Sequence, residues 1–279
     1  MSETTNQDLS GVAETSLIPL YLRAMETQRP DALIKDEKAV ELVTRLGYDF
    51  DRVRRIPMND ANRMVIILRN REIDRHVRDF LARHPDAVVV HIGCGLDSRF
   101  DRVAERNGQA EWYDLDFPQV IELRRRFIGD ERERYHLLAC SVLDNAWLET
   151  VSVHRQRPFL FLAEGVFMYL REEQVKSLVL TLLDHFPGAE LVFDSYSPTH
   201  VWLHNFQIGT LGRVADTQWG IWHGQKLEGW GDGIRLLDEW GFMDRPEPRL
   251  ARFRWWLRPF DSLFRTLRVY HFQLGKAAG

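Results

Sequence analysis

The chain has 279 residues and a formal net charge of −4, from 37 lysines and arginines against 41 aspartates and glutamates, with 44% hydrophobic and 28% charged residues. This composition fits a soluble globular protein and excludes collagenous, disordered and membrane-embedded classes. A weakly acidic total with scattered basic residues also lacks the positive footprint that a nucleic-acid partner requires.

Residues 1–10 read as a tail. Apolar positions at helical spacing (Leu17, Leu20, Leu33, Ile34, Val40, Leu42, Val43) predict short helices interrupted at Pro30. Asp60–His84 predicts a long helix with Met64, Ile67, Leu68, Ile73, Val77, Phe80 and Leu81 on one stripe, ended by Pro85. Short apolar runs then alternate with helical ones: strands are predicted at 87–92, 110–115, 135–140, 158–163 and 189–195, with crossover helices around 121–128 and 172–186. Such alternation predicts successive βα units and a doubly wound α/β fold around a mostly parallel sheet. Residues 196–233, aromatic and rich in glycine, read as a lid; a helix at 234–240 and strands near 249–254 and 266–274 complete the chain. The whole reads as one domain, with a helical cover (1–84), a cofactor-binding core (85–195), a lid or substrate insertion (196–233) and a C-terminal helix and strands (234–279).

Cys94 and Cys140 fall in strand-like segments without paired metal spacing, which excludes a disulfide framework and a cysteine zinc site and fits a reducing compartment. No apolar run approaches the roughly 18 residues that span a bilayer, and the polar start MSETTNQDLS is unlike a secretory signal. A cytoplasmic protein without a membrane partner is expected.

The stretch Val88-Val89-Val90-His91-Ile92-Gly93-Cys94-Gly95-Leu96-Asp97-Ser98-Arg99 carries the most chemical information. A buried strand entering Gly-x-Gly and then a helix lets a ligand approach the backbone, with tight strand-to-helix packing as the alternative reading. A dinucleotide fingerprint would place a third glycine where Ser98 stands, which argues against NAD and favours a nucleoside without phosphates. About twenty residues on, at the end of the next strand, comes Tyr113-Asp114-Leu115-Asp116-Phe117-Pro118. An acid placed there accepts from both hydroxyls of a ribose; Asp116 is the better candidate, and the alternative is a cap for the helix that follows Pro118. The glycine turn, the acid and the absent third glycine together point to S-adenosylmethionine (SAM).

HIGCGLDSRF, YDLDFPQVIELRR, AEGVFMYL, LRNREID and the C-terminal LEGWGDGIRLLDEWGF and RVYHFQLG resemble the leucine carboxyl methyltransferase superfamily, and within it the bacterial polyketide-type, tetracenomycin-like O-methyltransferases. The resemblance covers residues 15–275. It implies a class I, Rossmann-like methyltransferase fold with a seven-stranded sheet, and SAM as cofactor with S-adenosyl-L-homocysteine as product. By the same resemblance Gly93, Cys94 and Gly95 line the amino-acid part of the cofactor, Asp116 binds its ribose, and Arg23 and Arg69 pair with its carboxylate. An arginine fork suits that carboxylate chemically, although any single arginine of 32 could equally be a surface residue. Glu164 matches a cofactor-pocket acid that could hold the ammonium group, or could cap the next helix. Where relatives carry an Asp-Leu pair against the adenine, this chain has Ser141 and Val142; either the weaker hydroxyl acceptor serves, or Asp144 takes over.

Methyl transfer needs positioning more than catalytic groups: an ionised carboxylate acceptor requires no base, whereas a phenol with pKa about 10 benefits from one. Tyr169, Tyr196, His200 and His204 are the candidates for positioning the acceptor or taking its proton. His200 and His204 also stand at i, i+4, a metal spacing, but without a third ligand nearby no metal is expected. Trp202, Phe206, Trp219, Trp222 and Trp230 could form a flat pocket for an aromatic or polycyclic acceptor, or pack the lid onto the sheet. The remaining arginines read as solvated helix faces; only five basic residues are lysine, and nine tryptophans are present. The expected activity is SAM-dependent O-methylation of a carboxyl or hydroxyl group on a small, polyketide-like molecule. The alternatives are a non-catalytic SAM-binding scaffold and a carboxyl methyltransferase acting on a protein.

Overall fold

The runs VVVHI and FLFLA have no polar face to offer, and they form the two central strands, β1 (Val88–Ile92) and β4 (Phe159–Ala163), buried at every position. The computed structural model describes residues 12–55, 60–104, 109–211, 217–245, 247–253 and 266–276, with 255, 258, 259 and 261. The other strands are β2 (Glu111–Asp116), β3 (Tyr135–Ala139), β5 (Ala189–Tyr196), β6 (Ile234–Gly241) and β7 (Leu267–Leu274). They form a seven-stranded sheet of order β3-β2-β1-β4-β5-β7-β6. The first five strands are parallel, and β7 runs antiparallel to both β5 and β6. This is a doubly wound, Rossmann-like α/β fold.

The period of two along each strand splits the core into two layers. Val88, Val90, Phe161, Leu191 and Phe193 pack with Val175, Val179 and Leu182 of one helix; Val89, Leu160, Leu162 and Val192 face Leu68, Val77 and Phe80 of another. Those helices lie on opposite faces, as the parallel crossovers require. In chain order the helices are α1 (Val12–Thr27), α2 (Glu37–Arg45), α3 (Asp51–Arg55), α4 (Asp60–Arg83), α5 (Pro118–Phe127), α6 (Ala146–Ser152), α7 (Glu172–His185), α8 (Pro198–Leu211) and α9 (Gln225–Glu228). The apolar stripe expected on the long helix is the buried face of α4. α1 and α2 bury Leu17, Leu20, Leu42 and Leu46 together with Leu96 and Leu123, which seats the N-terminal helices over the turn after β1.

Four sequence expectations are corrected. The helix predicted at 234–240 is β6, and the strand predicted near 249–254 is a 3-10 turn, Pro248–Phe253. β6 escaped recognition because its register against β7 shifts between Leu236 and Asp238: the extra residue, Leu237, is exposed, and the apolar spacing no longer alternates. Within the stretch read as an irregular lid, 198–211 is a helix. Cys94 lies in the turn after β1 rather than in a strand. No helix among the described residues is long and apolar enough to cross a membrane.

At the outer end of the sheet, His76 of α4 stacks edge-on against His271 of β7, with ring centroids 4.7 Å apart. Burial, then the neighbouring His271 and Arg75, push the imidazole of His76 down to about 3. The folded state therefore keeps His76 neutral while the unfolded chain takes up a proton below pH about 6.5, so stability falls with pH between those values. Burial opposes ionisation of Glu190, but hydrogen bonds from His271 and Arg83 hold it at about 2, so its own loss begins only in the carboxylate range. Urea denaturation at pH 7 and pH 5 is expected to show a loss on the order of 2 kcal/mol attributable to His76; an unchanged slope in His76→Gln would contradict this.

Candidate cofactor and acceptor site

Strand order reverses between β1 and β4, which opens a crevice at the carboxyl ends of the strands, the place where doubly wound sheets bind ligands. β1 runs into the turn Gly93-Cys94-Gly95, held against β2 by hydrogen bonds from the Gly93 and Cys94 amides to the Leu115 carbonyl, 2.7 and 3.2 Å. Both glycines have left-handed backbones, φ +62° and +52°. A Cβ on Gly93 would lie 2.3 Å from Val166 Cγ2, and one on Gly95 would lie 3.2 Å from Ser16 Cβ. The turn is thus a tight cradle with no room for a side chain at Gly93, where Val166 already packs against it.

Asp116, the last residue of β2, closes one side of the cradle. Its Oδ2 accepts from the Gly95 amide at 2.8 Å and its Oδ1 from the Phe117 amide at 2.8 Å. Burial raises its carboxyl above the ordinary value, against the pull of these two amides. No side chain caps α5. Asp114 instead lies beneath the surface, bonded to Trp112 Nε1, Arg124 and the Tyr135 hydroxyl. Arg124 donates onward to the Gly95 and Asp97 carbonyls, both at 2.8 Å, so the turn is braced from inside. Ser141 lies half-buried after β3, its Oγ accepting from the Leu143 amide; Val142 is buried, while Asp144 is exposed and accepts from Ala146. Phe117 and Leu143 are large apolar side chains left exposed on either side.

Behind the cradle the arginines form a buried network rather than solvated faces. Arg23 places Nε 2.9 Å from Asp36 and donates to the Leu96 carbonyl at 2.9 Å. Ser98, at the position of the missing third glycine, donates to Asp36 at 2.6 Å. Arg102 reaches Asp36, Asp74 and Asp97, and Arg99 reaches Asp74, Asp97 and Glu164. Arg69 joins Glu164 (2.9 Å) to Asp194 (3.1 Å), and Asn70 also donates to Glu164 at 2.6 Å. Burial disfavours ionisation of Glu164 and Asp97, but the guanidiniums beside them overcome it and hold both carboxyls below the ordinary value. The sequence did not single out Asp194, Arg99, Arg102 or Arg124; the signal for Asp194 was an acid near the carboxyl end of the strand AELVFDSY, which is buried at its first seven positions.

Of the residues expected to position an acceptor, Tyr169 ends a 3-10 turn (Phe167–Tyr169) and Tyr196 ends β5. Burial raises both hydroxyls, that of Tyr196 to about 12, and both sense the charges of Arg69 and Asp194. His200 stacks on Tyr196, centroids 4.5 Å apart. The side chains of His204 and Phe206 lie outside the described residues. Trp219 is core, packed against Phe167, Phe193 and Trp230, whereas Trp202 and Trp222 are exposed. The described residues also gather Glu72, His76 and Asp238 within possible metal-ligand distance. Arg75 already sits 2.6 Å from Glu72 and 3.1 Å from Asp238, supplying the charge a cation would bring.

Residues 16–182 match the leucine carboxyl methyltransferase family. The tetracenomycin polyketide synthesis O-methyltransferase TcmP of Streptomyces glaucescens is 37% identical over 246 residues, 88% of each chain. The S-adenosyl-L-methionine-dependent methyltransferase dpfgK of Gibberella zeae is 30% identical over 262 residues, 88% of this chain and 87% of that one. Among solved structures, a DUF574 family protein from Streptomyces avermitilis superposes with a TM-score of 0.62 at 14% identity, covering 93% of this chain and 96% of that one, and shares the fold. The chain belongs to the leucine carboxyl methyltransferase family and is a SAM-dependent methyltransferase.

Proposed function

We propose that the protein methylates a carboxylate oxygen of a small molecule. The observation that carries this reading is the pair of tyrosines ending the 3-10 turn and β5: burial raises the hydroxyls of Tyr169 and Tyr196, so both keep their protons at neutral pH and can donate hydrogen bonds to an acceptor oxygen but not withdraw a proton from it. A carboxylate arrives already ionised and needs only orientation. The family description, and the polyketide role in the name of the Streptomyces relative, support a small polyketide-like acid as acceptor. Exposed Trp202 and Trp222 offer apolar surface to an aromatic body.

When bound, SAM supplies a methyl group on a sulfonium, which leaves with its own electron pair as S-adenosylhomocysteine. The glycine turn fits this cofactor because two residues without a Cβ, at φ +62° and +52°, let a ligand approach the backbone at the carboxyl end of β1. In this reading Gly93, Cys94 and Gly95 line the amino-acid part, Asp116 accepts from the ribose hydroxyls, and Ser141 and Val142 border the adenine. Arg69 meets the cofactor carboxylate and Glu164 its ammonium. Arg23, committed to Asp36 and Leu96, shapes the turn from behind. Tyr169 and Tyr196 orient the acceptor oxygen, and His200 holds Tyr196 by stacking.

Incubating the protein with methyl-labelled SAM and a panel of aromatic carboxylic acids and phenols tests the reading. A methyl ester is expected, releasing labelled methanol in mild alkali; label that stays in an alkali-stable ether would overturn carboxylate methylation.

A further inference from the structure

The network beneath the cofactor turn does not balance its charges. Among the described residues four guanidiniums, Arg23, Arg69, Arg99 and Arg102, face five carboxylates, Asp36, Asp74, Asp97, Glu164 and Asp194. Every one of these side chains is at most 10% exposed. The further cation near the network, Arg78, is half-exposed and stands 3.8 Å from Asp74 at its outer edge. Ion pairs this deep are poorly screened, so one surplus negative charge is felt across the crevice above it.

Asp194 has the weakest cationic support. Among the described residues Asp36, Asp74 and Asp97 each touch two or three guanidiniums and Glu164 touches two, whereas Asp194, fully buried at the crevice end of β5, touches Arg69 alone, and Arg69 is shared with Glu164. Its other oxygen accepts from the Gly165 amide at 2.6 Å. The groups facing it are Arg69 from α4, Glu164 from the end of β4, Tyr169 from the 3-10 turn and Tyr196 from its own strand. Across the sheet β7 presents Val269, and the neighbouring Arg268 is engaged with Asp261.

We propose that Asp194 is the surplus carboxylate and serves as the counter-charge by which the site favours the cationic sulfonium of SAM over the neutral thioether of S-adenosylhomocysteine. SAM and its product share the ammonium, carboxylate, ribose and adenine and differ by one positive charge, so a buried anion is the feature able to tell them apart electrostatically. Burial and the nearby Glu164 raise the Asp194 carboxyl despite Arg69, unlike the carboxyls of Asp36, Asp97 and Glu164, which are lowered. A site that binds the charged substrate and relaxes toward the neutral product also limits product inhibition. The inference assumes the cofactor placement proposed above.

Calorimetry at neutral pH with SAM, S-adenosylhomocysteine and the cationic analogue sinefungin tests it. In Asp194→Asn the affinities for SAM and sinefungin are expected to fall roughly tenfold while that for S-adenosylhomocysteine changes less than about twofold, the gap expected from one partly screened charge several ångströms away. In the wild-type protein the ratio of the SAM affinity to the S-adenosylhomocysteine affinity is expected to fall as the pH is lowered from neutral through the carboxylate range, because protonating Asp194 removes the counter-charge. Equal losses for all three ligands, or a wild-type affinity ratio that stays constant over that pH range, would overturn the role; the second readout needs no variant to fold. Failure of the underlying placement looks different: Asp116→Ala would then bind both SAM and its product as the wild type does.

Discussion

Replacing Arg99 by methionine is expected to destabilise the protein by about 3–5 kcal/mol, because one partner of a buried ion network is removed and several carboxylates are left uncompensated. Arg99 is fully buried, with Nε 2.7 Å from Asp74 and a terminal nitrogen shared between Asp97 and Glu164. Methionine fills a similar volume, so packing loss contributes little and electrostatics dominates. Arg99→Lys should recover only part of the loss, since one ammonium cannot serve acids in three directions. By contrast Arg29→Ala, which breaks a half-exposed pair with Asp31, is expected to change stability by under about 0.5 kcal/mol. Urea unfolding of the three variants checks the ordering; an Arg99→Met midpoint equal to that of Arg29→Ala would refute the network's role in holding the fold.

Gly93→Ala is expected to weaken SAM binding by at least about tenfold and to lower stability by roughly 2–5 kcal/mol, from two separable causes. An alanine at φ +62° costs about 1–2 kcal/mol in the left-handed region. Its Cβ would also meet Val166 Cγ2 at 2.3 Å, and a β-branched side chain with few rotamers cannot yield cheaply, an overpacking cost of about 1–3 kcal/mol. The double variant Gly93→Ala with Val166→Ala removes the second cause and keeps the first. Calorimetric SAM affinity and urea midpoints should therefore recover in part. Full recovery would show that backbone strain is negligible, and no recovery would show that the contact with Val166 does not matter.

The strand core was legible because its residues obey a local rule: continuous apolar runs such as VVVHI and FLFLA suit only strands buried on both faces. The glycine turn and Asp116 were legible for the same reason, since a positive φ and an acid at a strand end are written in single residue types. β6 was not, because a one-residue register shift broke its alternation, and a bulge depends on the partner strand rather than on the segment itself. Trp219 and Trp202 could not be told apart by composition, yet one is core and the other is largely exposed.

Sequence by itself determined the doubly wound order of strands and helices through β5, the glycine turn at Gly93 and Gly95, and the family, because each rests on short motifs whose chemistry is local. What the arginines do was decided only in three dimensions. Arg69 and Asp194 stand 125 positions apart, Arg99 and Glu164 65 apart. An arginine on a helix reads as solvated until the fold brings a carboxylate to it and excludes water from both. The preponderance of arginine over lysine then acquires a physical sense, since a guanidinium that pairs in several directions at once suits such a buried network, which an ammonium could not hold together.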